Sequence, residues 1–274
     1  MAFITLTTDF GEKDPYVGAV KGAIYQALPS ARIVDISHSI SPFSITEAAY
    51  IIRNAYYSFP KNTIHIIGVD AEYTPDNKHI AVLLNGHYFL CADNGIMSMI
   101  TQKIVPEELV EINIHNYVIS NFPVLDVFVK CATYLAEGGA LSVIGKPIAE
   151  IKQLQDLQPV VFSDQKSIRG SVMYIDNYGN VVTNITKSLF DEIRKGRKFV
   201  INARKVRFEK ILERYSDVLN HKSGYQTDGE KLALFNAAGF LELAIYKSNP
   251  YSIGAASTLF GLAYRDYITI DFLD

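Results

Sequence analysis

Cysteine is scarce in this chain: 274 residues contain only two, Cys91 and Cys131. That argues against a disulfide-stapled secreted scaffold and leaves both thiols as core packing. Long apolar runs are missing too, since no stretch approaches the roughly 20 residues of a membrane helix. Neither charge dominates. The formal net charge of −3 favours no polyanionic partner. A secretory leader is not evident, because Phe3-Ile4-Thr5-Leu6-Thr7 reads as a first strand. A soluble protein in a reducing cytoplasm is therefore expected. The one basic stretch, from Arg194 to Lys210, has Glu192, Glu209 and Glu213 as acidic neighbours. It reads as a solvated helix or strand face, with no nucleic acid and no membrane as partner.

Several catalytic signatures are absent as well. The chain holds no GxSxG elbow and no GxxxxGK[ST] phosphate loop. Its six histidines are scattered without cysteine–histidine metal spacing, so no metal is expected. Gly18 and Gly22 fall inside a helical pattern, where they read as helix–sheet packing instead of a dinucleotide loop.

What is present is an α/β rhythm. Strand patterns at Phe3–Thr8, Arg32–Ser37 and 63–69 alternate with helical patterns over 14–28 and from Ile45 to Phe59. Ser44 and Glu47 spell a capping box for the second helix. Asn85-Gly86 between two apolar runs is a strong hairpin signal, and Leu125, Phe128, Ala132 and Leu135 mark a further helix. Together these predict an N-terminal layered α/β domain with a mostly parallel sheet over residues 1–150. Periodicity fades in a linker at 151–166. Short strands over 167–274 then predict a smaller C-terminal β-barrel, with a polar excursion at 211–230.

Carboxylates stand where such a sheet binds ligands, beyond the carboxyl ends of its strands. In Thr8-Asp9-Phe10-Gly11-Glu12-Lys13-Asp14, Asp9 has the acceptor capacity for both hydroxyls of a ribose diol. Asp14 suits either an N-cap or a ligand contact. Asp70 ends a buried strand, where an ionised group either has a purpose or fixes its own loop. Asp93-Asn94-Gly95 reads as loop-structuring. In the second domain, Asp176-Asn177-Tyr178-Gly179-Asn180 is a hairpin turn by composition, yet it also presents an aromatic and an amide suited to a purine. A nucleoside-type small molecule is the expected ligand.

Taken in order, TTDFGEKDPYVGAVKGAI, DISHSISPFSITEAAYII, IHIIGVD, ADNG, YIDNYGNVVTNI and AAGFLELAI resemble the S-adenosylmethionine hydroxide adenosyltransferases, relatives of fluorinase and chlorinase. The resemblance implies hydrolysis of S-adenosylmethionine to adenosine and methionine by water or hydroxide attacking ribose C5′, with no cofactor. It also implies a homotrimer whose sites lie between one subunit's first domain and its neighbour's second. By position, Asp9 would bind the ribose hydroxyls and Asp14 the methionine amino group, while Phe43 and Tyr73 would line the pocket. Asp176, Tyr178 and Asn180 would come from the neighbour. Asp70 matches an aspartate of the family's hydrolytic triad. The family's arginine position is Asn77 here, with Lys78 beside it as a substitute cation, and its histidine falls within Phe122-Pro123-Val124-Leu125-Asp126. A serine of relatives aligns with Ala237 or Ala238. A catalytically silent S-adenosylmethionine- or adenosine-binding protein is the alternative, and nothing in the sequence identifies a halide pocket.

Overall fold

A computed structural model describes residues 2–101, 104–114, 120–154, 158–220 and 228–273. The chain divides into two compact units, Met1–Leu154 and Gln155–Asp274. Residues 155–157 of the expected linker and 221–227 of the expected excursion lie outside the described residues.

The first unit runs β1 (Phe3–Thr8), α1 (Tyr16–Ala27), β2 (Arg32–Ser37), α2 (Ile45–Ala55), β3 (Ile64–Gly68), β4 (His79–Leu84), β5 (His87–Ala92), α3 (Ile96–Thr101), β6 (Glu108–Ile112), α4 (Val129–Ala136), α5 (Leu141–Ile144) and β7 (Gly145–Pro147). Its sheet has the order β2-β1-β3-β5-β4-β6-β7. β1, β2, β3, β5 and β6 point one way, and β4 and β7 run against them. The β4–β5 turn is made by Asn85 and Gly86, both at positive φ, as a two-residue hairpin requires.

Period-two alternation along β3 builds the layers. Ile64 and Ile66 pack with Val20 and Ile24 of α1 and Ala132 and Leu135 of α4. On the other face Ile67 packs with Ala48 and Ile52 of α2 and Met97 and Ile100 of α3. A strand covered on both faces is apolar almost throughout. His65 is the exception, fully buried, with Nδ1 2.7 Å from Thr5 Oγ1 and Nε2 3.3 Å from His87 Nδ1. Burial, reinforced by the charge of His87, pushes the His65 imidazole down to about 3.

Four local features depart from the sequence pattern. The N-cap of α1 is Pro15 and no side chain caps it, so Asp14 is not a cap. Ser44 is the N-cap of α2, but its hydroxyl makes no cap bond; Glu47 Oε2 accepts from Ser41 N at 3.1 Å, and the capping box does not form. Gly18 and Gly22 do not pack on the sheet, because a Cβ at either would meet nothing within 4 Å. They sit two residues out of phase with buried Val20 and Ile24, which at 3.6 residues per turn is the opposite face. The helix expected from Leu125 opens with a π turn, Val124–Phe128, before α4.

The second unit contains β8 (Val160–Val161), β9 (Ser167–Ile175), β10 (Val181–Thr186), α6 (Lys187–Arg194), β11 (Lys198–Ala203), β12 (Val206–Phe208), β13 (Lys231–Phe235), β14 (Phe240–Ile245), α7 (Ala256–Phe260) and β15 (Tyr267–Leu273). The order β12-β11-β15-β9-β10-β14-β13, with β8 on β9, is antiparallel throughout and forms a nearly closed, barrel-like sheet. Ile168, Ile185, Leu241, Leu243, Ile268 and Ile270 fill it. Part of the basic stretch finishes α6: Arg197 Nη2 donates to Ile193 O (2.6 Å), supplying a partner for a terminal carbonyl. Among the described residues, no helix of either unit is long and apolar enough to cross a membrane.

Candidate functional site

Three adjacent strand ends in the first unit lead into the loops that carry Asp9, Asp14, Phe43, Asp70, Tyr73 and Lys78. Thr7 lies opposite Ser37, and Thr8 opposite Gly68, so the loops leaving β1, β2 and β3 start side by side. Gly68 permits this crowding. A Cβ there would lie 3.0 Å from Val124 Cγ2 and 3.2 Å from both Phe10 Cζ and Thr8 Cγ2. The π turn thus aims Val124 at the end of β3, and π turns often mark functional positions. Phe10 also joins Tyr16 and Phe122 in an edge-packed aromatic triangle, with centroids 5.4–5.8 Å apart.

The first loop is tied to the second. Asp9 Oδ2 accepts from Phe43 N at 2.8 Å, which occupies one carboxylate oxygen and leaves Oδ1. Gly11, at positive φ, donates its N–H to His38 O at 2.8 Å. Phe43 itself is left-handed (φ 61°), a conformation that costs a bulky residue about 1–3 kcal/mol. The residue is 73% exposed, so the strain presents an aromatic surface instead of filling the core. Asp14 is exposed, and among the described residues its carboxylate has no hydrogen bond or ion pair.

Asp70 follows β3 with φ 47°, and Asn94 Nδ2 donates to the carbonyls of both Val69 and Asp70 at 3.2 Å. The Asp70 side chain is half-buried and, among the described residues, unpaired. Asp93 and Asn94 are loop-structuring, as expected: Asp93 Oδ1 accepts from Lys152 N (2.9 Å), and Asn94 Oδ1 from Ile96 N (3.1 Å). Burial raises the Asp93 pKa, and the Lys152 bond and charge only partly offset it. Lys78 lies over the Tyr73 ring at 4.9 Å, its ammonium 3.3 Å from the phenol oxygen. Asn77 Oδ1 accepts from Lys152 Nζ at 3.0 Å, so a second cation reaches this loop from 75 residues away.

Sequence reasoning missed His38, Asn94 and Lys152. His38 is buried beside Thr8 and Asp35, and only its place in DISHSISP, next to Phe43, could have flagged it. Asn94 was visible as a turn residue, but its grip on the Asp70 carbonyl was not.

In the second unit the Asp176–Asn180 turn is built by Asp176. Its Oδ1 accepts from Tyr178 N and Asn180 N (2.9 and 2.8 Å), and its Oδ2 from Asn180 Nδ2 (2.9 Å). Both Asp176 oxygens serve the turn. Gly179, at φ 74°, packs so close to Ala255 that a Cβ would lie 2.3 Å away. Asn180 is buried, while Tyr178 stands 65% exposed at the tip. The neighbouring β13–β14 turn is fixed by buried Glu242, which accepts from Tyr215 Oη and from Asn236 Nδ2. Burial raises the Glu242 pKa despite those two bonds.

Residues 4–145 match the SAM hydroxide adenosyltransferase N-terminal domain, and residues 170–269 match the C-terminal domain of the same family. A Methanocaldococcus jannaschii protein named (R)-S-adenosyl-L-methionine hydrolase is 32% identical, over 97% of this chain and 95% of its own. A fluorinase of Nocardia brasiliensis is 22% identical, over 70% of this chain and 74% of its own. An uncharacterized conserved protein from Thermotoga maritima has a crystal structure that superposes with a TM-score of 0.81 at 27% identity, covering 99% of this chain and all of its own.

Proposed function

Because the chain belongs to the SAM hydroxide adenosyltransferase family, we propose that it hydrolyses S-adenosyl-L-methionine to adenosine and L-methionine. The observation that carries this reading is the alignment of the strand ends. It puts the Asp9 loop and the Asp70 carboxylate, unpaired among the described residues, beyond the ends of neighbouring strands, β1 and β3. In this reading Asp9 Oδ1 takes the ribose diol, Asp14 takes the methionine ammonium, and Phe43 and Tyr73 line the pocket. Asp70 orients a water whose oxygen attacks C5′. As the C–O bond forms, the C5′–S bond breaks, its electron pair neutralises the sulfonium as the methionine thioether, and the water proton leaves toward Asp70. A sulfonium needs no acid to depart. Alignment of the nucleophile is what remains to be supplied, and it is worth about 7–11 kcal/mol of barrier. Lys78, beside Asn77, serves as the substitute for the family's cation, and no cofactor takes part.

Incubation of the purified protein with S-adenosyl-L-methionine, followed by chromatography, should show adenosine and methionine in equal amounts. Binding without release would instead mark a silent binding protein. Asp9→Asn keeps an acceptor for Phe43 N but loses the charge, and it should weaken adenosine binding by about 10–100-fold in calorimetry.

The same reading makes the protein a cytoplasmic homotrimer, in which Asp176, Tyr178 and Asn180 of a neighbouring subunit complete each pocket. Light scattering should give the mass of three chains. A monomer with full adenosine affinity would sink the shared-site reading.

A further inference from the structure

His38 is 5% exposed and touches both loops of the candidate site. Its Nδ1 lies 2.8 Å from Thr8 Oγ1, and its backbone oxygen accepts from Gly11 N. Its Nε2 lies 3.0 Å from Asp35 Oδ1, close but off the axis of a directed hydrogen bond. Asp35 in turn is held by Lys21 Nζ at 2.5 Å. Burial opposes ionisation of Asp35, but its contacts with Lys21 and His38 outweigh it and hold the carboxyl below its ordinary value. Asp35 therefore stays anionic, and an anion beside Nε2 favours the proton on that nitrogen. The Nδ1 lone pair is then left to accept from the Thr8 hydroxyl. Thr8 Oγ1 in turn accepts weakly from Phe10 N at 3.4 Å, closing a ring around Asp9.

Asp9 is thus flanked on both sides by groups that end on His38, through the Thr8 hydroxyl before it and Gly11 N after it. We propose that His38, oriented by Asp35, is a positioning residue that sets the Asp9 carboxylate toward a ribose diol through Thr8. The proposal rests on the ribose role given to Asp9 above.

Asparagine and glutamine divide the two ring contacts between them. H38N places its Oδ1 near the position of Nδ1 and keeps an acceptor for Thr8. H38Q places its amide near Nε2 and keeps a donor for Asp35 but frees Thr8. Calorimetry with adenosine and with 2′-deoxyadenosine reads the contact directly, because only the first has the diol. Wild type should prefer adenosine. H38Q should lose most of that preference, binding adenosine about tenfold more weakly with 2′-deoxyadenosine little changed, and should raise the substrate KM more than it lowers kcat. H38N should restore most of the preference. Thr8→Val, which removes the hydroxyl at nearly constant shape, should behave like H38Q and replaces it if H38Q does not fold. Equal weakening of both nucleosides would mean only general loosening and would overturn the proposal. So would an H38Q protein with wild-type preference, or an H38N protein as poor as H38Q. Asp9→Asn is the reference: if it leaves the preference intact, the ribose role of Asp9 itself fails, and this inference falls with it.

Discussion

Asp70→Asn is expected to lower adenosine release by about 10²–10⁴-fold, the usual contribution of a positioned general base, while adenosine affinity stays within about twofold. The substitution is unusually clean here. Asp70 sits at φ 47°, a left-handed conformation that asparagine adopts more readily than most residues, so the backbone need not move. Asn94 grips the Val69 and Asp70 carbonyls, which the change leaves intact. Only the charge and basicity of the carboxylate are removed, since the amide still accepts a hydrogen bond. Alanine would add backbone strain and blur the result. Lys78→Met should cost less, because Lys78 is already spent in part on the face of Tyr73. Normal turnover by Asp70→Asn would mean that the carboxylate only shapes its loop and that the water is activated elsewhere.

Acid should unfold the first unit through His65. The imidazole titrates near 6.5 when exposed and near 3 in the fold, so between these values the unfolded chain binds the extra proton. Stability is therefore complete above about pH 6.5 and falls as pH drops, by at most about 1.4 kcal/mol per pH unit, reaching about 4–5 kcal/mol near pH 3. Glu242, with its pKa raised by burial, works in the opposite direction in the carboxylate range. Comparison with a variant separates the two. Thr5→Val/His65→Phe removes the Thr5–His65 pair together and leaves His87, whose pKa burial also lowers, as the remaining imidazole of the cluster; urea midpoints between pH 7 and 5 should flatten markedly. An unchanged slope would assign the acid loss to other groups.

Much of this protein follows from local pattern. Asn85-Gly86 makes its turn because two consecutive positive φ values favour Asn, Asp and Gly. The run from Ile64 to Gly68 becomes an inner strand because a parallel strand under two helical layers has no polar face to offer. Asp9, Asp70 and the Asp176–Asn180 turn were visible for a related reason: carboxylates and turn residues at strand ends are local signals. Other features were decided only by tertiary structure. Ser44 and Glu47 have capping-box spacing, yet Glu47 serves Ser41, because a nearby backbone N–H competes for its oxygen. Gly18 and Gly22 share a helix with Val20, but the phase of the buried face turns both outward. His38 meets Thr8 across 30 residues, Asn94 holds Asp70 across 24, and Lys152 reaches Asn77 across 75. Sequence by itself determined the elements and the loops that carry charge, since both depend on neighbours a few positions away. Which distant side chains clamp those loops was settled only when parallel strands brought remote segments to one edge, a proximity that no local spacing encodes.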